Sequence, residues 1–292
     1  MKTVDYLYHF TRGGIPTIVS ILKNGFFPSY AVESLQKKKI LLPMISFSNV
    51  LLRDVGEQEV LNYGSYAIGV TREWGIKNGL NPVIYTHEEG ELKKAFDKYI
   101  ENSALLSSLE RYKDHYRKMS DIGLTFSKYM KVSNTSSLAI ALIDSLTKPG
   151  SFNEDALIGV SRVSEENFRT SKRIVNLMKP YEVYDKVGKK FIAYNDREWR
   201  KTFEELSFID SETEADQFNK MSGTPKPHIS DVRYRTWLLL DDVRIIIVDK
   251  SSEVQSLKEA IYKIHDANKV DERLSNGSLV IDTLENLSKQ NL

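Results

Sequence analysis

Tyr6-Leu7-Tyr8-His9-Phe10-Thr11, followed at once by Arg12-Gly13-Gly14-Ile15-Pro16, is the stretch on which the reading of this chain turns. Its residue types suit a pleated, half-buried strand. Alternation places Tyr6, Tyr8 and Phe10 on one face and Leu7, His9 and Thr11 on the other. Two glycines then permit a tight turn, and Pro16 suits the first turn of a helix, where no amide partner is lost. Ile15, Ile18, Val19 and Leu22 form an apolar stripe that Asn24-Gly25 ends. The unit sets an imidazole and a hydroxyl beside a helix N-terminus, a place that favours anionic ligands. A lone His in such a strand is more commonly a core residue bonded to a backbone carbonyl.

Outward from this unit, the chain alternates short strands and short helices. Ile40 to Val50 reads as a strand with one polar face, Ser46 and Ser48, and Lys37-Lys38-Lys39 before it as a solvated loop or edge. Ser65–Thr71 is a further strand, Glu73–Gly79 a short helix closed by glycine, and Asn81–Tyr85 another strand. From Glu91 the spacing turns helical, through Leu92, Ala95, Phe96, Tyr99, Ile100, Leu105, Leu106, Leu109 and Tyr112. Leu138–Leu146 and the second half of Glu154–Leu177 continue it. Strand character returns at Tyr181–Tyr184 and Lys190–Tyr194, with Lys186–Lys189 as a hairpin turn. Ser211–His228 reads as a surface loop. Trp237–Leu240 and Val243–Val248 are the most apolar strand candidates, the second with the pattern of burial on both faces. Ser252–His265 is an amphipathic helix with Ser252 as N-cap. The expectation is one α+β domain over residues 1–292, with 91–177 a largely helical insertion and 277–292 a weakly ordered tail.

Composition narrows the function classes. The 292 residues are 41% hydrophobic and 28% charged, with a formal net charge of +1. That balance fits a globular protein with a sizeable core and no global field for nucleic acid or anionic membrane. Cysteine is absent, so disulfides, thiolate zinc sites and a cysteine nucleophile are excluded. No stretch reads as a signal peptide or a bilayer-spanning run, so a cytoplasmic protein without a membrane partner is expected. Walker, dinucleotide-glycine and nucleophile-elbow motifs are missing. His87-Glu88-Glu89 lacks a second His at ligand spacing, and no metal site is expected.

Asn195-Asp196-Arg197-Glu198-Trp199-Arg200 is the second stretch with chemical content. A carboxylate among guanidiniums keeps a lowered pKa and stays ionised, able to orient a ribose hydroxyl or stabilise a developing cation. The commoner fate of such a run is an ion-paired edge. Tyr63, Tyr66 and Tyr85 are stacking candidates or core aromatics, and Ser46 and Ser48 either donate to a ligand or face water.

In the order of its motifs the chain resembles the AbiGi-like family of abortive phage-infection proteins. The resemblance runs through Tyr8-His9-Phe10-Thr11 with Ile21-Leu22-Lys23-Asn24-Gly25-Phe26, Pro43-Met44-Ile45-Ser46-Phe47, and Tyr63-Gly64-Ser65-Tyr66-Ala67-Ile68-Gly69. It continues through Glu73-Trp74-Gly75, Asn81-Pro82-Val83-Ile84-Tyr85, Arg197-Glu198-Trp199-Arg200 and Leu240–Val248. It implies antiphage defence in a toxin–antitoxin pair, with a cognate toxin or antitoxin, or a phage protein, as partner.

More distantly, the chain is similar to ADP-ribosyltransferases, in which a strand with His and a Thr two positions on opens the NAD site. That similarity implies an ADP-ribosyltransferase-like mixed or antiparallel sheet core and NAD as substrate. It implies His9 on the NAD ribose, Thr11 nearby, Tyr63 or Tyr66 stacking on nicotinamide, and Glu198 as the late catalytic carboxylate working with His9. Ser46 joins as a cofactor-binding hydroxyl. ADP-ribose would pass to a nucleic-acid or protein target. The alternative is a non-enzymatic antitoxin or regulator that binds a partner toxin. The catalytic reading requires His9 and Glu198 to face one another across one cleft.

Overall fold

The computed structural model describes residues 5–35, 38–129, 137–184, 190–203, 206 and 231–290. The Lys186–Lys189 turn and the Ser211–His228 loop lie outside the described residues. The opening unit forms as its pattern predicts: strand β1 is Tyr6–Thr11 and helix α1 is Gly14–Asn24. Ile18, Ile21 and Leu22 are the buried stripe of α1, and Gly25 ends it at φ 73°, a conformation that glycine adopts without steric cost.

The chain divides into two compact units, one of residues 1–85 with 181–292 and one of residues 86–180. The first carries a mixed sheet. After α1 come β2 (Ser29–Leu35), β3 (Lys38–Ser48), α2 (Glu57–Tyr63), β4 (Tyr66–Thr71), α3 (Arg72–Lys77), β5 (Asn81–Pro82) and β6 (Ile84–Thr86). The second unit holds α4 (Glu91–Ser107), α5 (Lys113–Asp121), α6 (Phe126–Tyr129), α7 (Ser137–Leu146) and α8 (Glu154–Val175), with β7 (Met178–Pro180) at its end. Leu109, Tyr116, Met119, Phe126, Ile143 and Leu157 form its own core. The first unit resumes with β8 (Glu182–Tyr184), β9 (Lys190–Ile192), β10 (Glu198–Thr202), β11 (Val243–Val248), α9 (Glu253–Tyr262), α10 (Ala267–Ser275), β12 (Val280–Thr283) and α11 (Leu284–Ser288). The structure is thus α+β with a mixed sheet.

Along the main sheet the strands run β12-β11-β4-β1-β3-β10-β5, with β2 also on β3. Only the β11–β12 pair is parallel among the described ladders. One face packs Leu7, Ile45, Phe47, Ile68, Val70, Ile246 and Val248 against Ile18, Ile21, Trp74, Leu257, Ile261 and Val270 of the helices. The opposite face carries Tyr8, Ala67, Ile245 and Ile247 beneath Leu52 and Leu287. Ile245 to Val248 are all buried, the apolar run that two covered faces demand.

Three departures from the sequence reading have identifiable causes. Ser29–Leu35 is a strand, because it completes a long hairpin with β3 from Ser29↔Met44 to Leu35↔Lys38. Trp237–Leu240 does not join the sheet. Thr236 makes a single bridge to Phe26, and Asp242 folds back to accept from the Leu239 amide, which turns the chain into a 3₁₀ turn over Leu240–Asp242. The segment read as a weakly ordered tail instead supplies β12 and α11. Ile281 pairs with Ile246 in β11, and Leu287 is fully buried.

Candidate functional site

His9 sits where the sheet changes partners. On one side of β3, β1 pairs at Tyr8↔Ser48 and β2 begins at Ser29↔Met44. The Ser46 carbonyl falls in the gap between them, and His9 Nδ1 donates to it at 2.8 Å. An unpaired carbonyl at this depth would carry a desolvation cost, so the imidazole acts as a backbone donor there. Its ring lies against Phe26 at 5.0 Å and Phe47 at 5.4 Å, and Phe26 and Phe47 also flank Trp74. Burial lowers the His9 pKa, opposed by the bond to Ser46. A neutral ring with Nδ1 protonated is the form this site holds.

Glu198 points the other way. It pairs with Ser48, as Tyr8 does on the far side of β3, and cross-strand partners share a face. Tyr8 belongs to the core of the second face, whereas His9 touches Phe47 of the first. His9 and Glu198 therefore project from opposite sides of the sheet, and the single cleft expected from the sequence does not form. Alternation on β1 and register through β3 fix this.

Arg200 organises what surrounds Glu198. Its side chain is fully buried. Nε donates to Glu198 Oε1 at 2.6 Å, and one terminal nitrogen reaches Glu198 Oε2 at 3.1 Å and Glu33 Oε1 at 2.5 Å. Burial alone would lower the guanidinium pKa, but Glu33 and Glu198 more than offset it and the result is raised. The Glu198 amide donates to Tyr85 Oη at 2.7 Å, and Tyr85 packs edge-on against Tyr194. This is a buried Glu33–Arg200–Glu198 cluster under an aromatic neighbour. Its paired charges tie β2 to β10, each of which pairs with β3.

The other expected residues separate into two groups. Thr11 pairs with Tyr66 on the His9 face, so His9, Thr11 and Tyr66 are brought onto one side of the sheet. Thr11 Oγ1 accepts from the Gly13 amide. Tyr66 Oη donates to Glu253 at 2.6 Å. Burial, then Glu253, push its pKa up to about 12. Tyr63 instead ends α2, and its hydroxyl donates to Asp196 at 2.6 Å. Ser46 shares the face of Arg200, its register partner, and contributes its carbonyl to His9. Sequence reasoning passed over Glu33, Arg200 as an organiser, and Glu253. Only the register of β2 and the landing point of α9 reveal them.

The β1–α1 turn is occupied by its own chain. Arg12 donates to the carbonyls of Leu61 and Asn62, which closes the C-terminal end of α2. Gly64 lies so close that a Cβ there would stand 2.2 Å from the Thr11 carbonyl oxygen. Among the described residues no group of His, Asp and Glu could hold a metal ion, and no helix is long and apolar enough to cross a membrane.

A family model described as "Putative abortive phage resistance protein AbiGi, antitoxin" matches residues 26–249. That span is well over half of the 292 residues and includes Glu33, Tyr63, Tyr66, Glu198 and Arg200. His9 and Thr11 precede it. No curated protein and no solved structure matches the chain.

Proposed function

The chain belongs to the AbiGi family, and from that premise we propose that it is an abortive-infection defence protein of the antitoxin kind, neutralising a partner toxin by binding it. The observation that carries the non-catalytic reading is the opposition of His9 and Glu198 across one sheet. Each is also engaged internally, His9 with the Ser46 carbonyl and Glu198 with Arg200. A transfer reaction needs its groups within reach of one reacting atom. Binding needs only a stable scaffold with a competent surface. Co-expression with the toxin gene beside its own tests this. Wild type, His9→Gln and Glu198→Gln should all restore growth, in proportion to the folded protein present. Loss of protection by either variant at full folded level would overturn the reading.

A second reading, NAD-dependent ADP-ribosyl transfer on an ADP-ribosyltransferase-like fold, is favoured by the shared face of His9, Thr11 and Tyr66. On that face the carboxylate bonded to Tyr66 is Glu253, so this reading moves the late acid from Glu198 to Glu253. Calorimetric titration with NAD separates the two readings. Heat that saturates in wild type and disappears in Glu253→Gln would favour transfer; a flat titration favours the antitoxin.

A further inference from the structure

Arg235, Thr236, Trp237, Leu238, Leu239 and Leu240 alternate along a segment outside the main sheet. Thr236, Leu238 and Leu240 are buried, while Trp237 is 61% and Leu239 64% exposed. Arg235 has φ −66° and ψ 133° and Leu239 has φ −90° and ψ 151°, both extended, so half-buried Arg235 shares one row with exposed Trp237 and Leu239. The backbone is held from within: Thr236 exchanges amide and carbonyl bonds with Phe26 at 2.8 and 2.9 Å.

The guanidinium of Arg235 is fixed in an unusual way. Its Cζ stands 4.0 Å from the Trp237 ring centroid and 5.3 Å from that of Phe27. Its Nε is buried without a hydrogen-bond partner, and no described carboxylate pairs with it. The neighbouring Arg233, by contrast, is bound to Asp231. Two rings thus hold a planar cation in place, with no counter-charge among the described residues and two large apolar side chains beside it. Trp and Arg are the residues that most often carry interface energy, and a pre-positioned side chain loses little freedom on binding.

Resting on the antitoxin reading above, we propose that the Arg235–Trp237–Leu239 row is the toxin-docking surface. Its occupant is a toxin segment that offers a carboxylate to Arg235 next to an apolar pocket for Trp237. The charge on this row that no described carboxylate answers argues for an acidic protein partner. A nucleic acid would want several cations along a groove, and a second copy of this row would bring its own Arg235 against the first.

The test uses the full chain and the purified product of the adjacent toxin gene. Trp237→Ala and Arg235→Gln should each weaken the complex about thirtyfold or more. Trp237 is exposed and its variant should keep the wild-type melting temperature, while Arg235→Gln, at a half-buried position, is compared at equal folded protein. Arg235→Lys should fail to recover wild-type affinity, because an ammonium cannot lie flat between two rings. Arg233→Gln should bind as wild type. If the row variants bind like wild type, the surface is wrong and the antitoxin reading stands. If wild type forms no complex with that product, both fall. Self-association, or binding of an oligothymidylate of about fifteen nucleotides, that is lost in the same two variants would overturn the protein-docking proposal for a second copy or for nucleic acid.

Discussion

His9 and Glu198 lie on opposite faces of one sheet, separated by the register Tyr8↔Ser48↔Glu198. One residue along β1 makes the whole difference, because neighbouring side chains on a strand point to opposite sides. Had the paired residue been His9, the imidazole and the carboxylate would have shared a face. The two groups instead do separate structural work, and each can be removed to measure it.

Replacing Arg200 with Met should be the more damaging change at the buried cluster. It strands Glu33 and Glu198 together with no cation. Breaking a buried charge pair from one side costs about 3–5 kcal/mol. Glu198→Gln leaves Arg200 with Glu33 and keeps an acceptor, so a loss of about 1–2 kcal/mol is expected. Urea unfolding of the two variants checks the order. A smaller loss for Arg200→Met than for Glu198→Gln would contradict the arrangement.

Gly64 and Gly79 have positive φ, 106° and 80°, yet should respond differently to alanine. At Gly79 nothing lies within 4 Å of the new Cβ, so only the backbone conformation is penalised, about 1–2 kcal/mol. At Gly64 the Cβ would meet the Thr11 carbonyl oxygen at 2.2 Å and its carbon at 2.4 Å. That contact cannot be relieved without moving β1 or α2, and Arg12 ties the two together. Gly64→Ala should therefore cost at least about 2 kcal/mol more than Gly79→Ala, read from their thermal melts.

Much of the fold was legible in the chain because strand alternation and helical spacing are local properties. β1, α1, β4 and β11 follow directly from their patterns, and so does the helical character of residues 91–177. What escaped depends on partners distant in sequence. The Ser29–Leu35 strand has no clean alternation of its own and exists through its pairing with β3. β12 is only four residues long, Val280–Thr283, and is held by β11. Trp237–Leu240 has the composition of a core strand, but Asp242 turns the chain before a ladder can form. At the site, alternation correctly grouped His9 with Thr11. It could not tell which residue of β1 stands level with Glu198, since that is set by how two ladders meet at Ser48. The commoner expectation for the run over residues 195–200 was an ion-paired edge; Arg200 is ion-paired, but fully buried in a strand between β3 and β5 rather than at an edge.

The Tyr66–Glu253 bond links β4 to α9 and should be visible in the tyrosine titration. Burial and the Glu253 carboxylate together put the Tyr66 phenol at about 12. Glu253→Gln removes the second influence and leaves the first, so the phenol should titrate lower than in wild type and still above 10. Difference spectra at alkaline pH, taken against Tyr66→Phe to assign the signal, measure it. An identical titration in wild type and Glu253→Gln would mean that the carboxylate does not face the phenol in solution.

The pH dependence of stability should carry the signature of His9. Its pKa in the fold lies below the ordinary 6.5, with burial as the main cause. The unfolded chain therefore takes up the proton more readily than the folded one, and stability rises with pH across that interval. The His9 contribution is complete above about 6.5. It drains as pH falls from there toward the lower folded value. His265 is shifted the same way by burial and Lys269, so the wild-type slope alone does not identify His9. His9→Gln resolves this: its amide can still donate to the Ser46 carbonyl but does not titrate, and His265 is untouched. Unfolding free energies measured between about pH 5 and 8 should fall less steeply on the acid side for His9→Gln than for wild type. His9→Ala should flatten the profile equally, but from a lower plateau, because the Ser46 carbonyl loses its donor and Phe26 and Phe47 lose a neighbour. Parallel curves for wild type and His9→Gln would mean that the imidazole is protonated freely in the fold, and the bond from β1 to the Ser46 carbonyl of β3 would not be the one described.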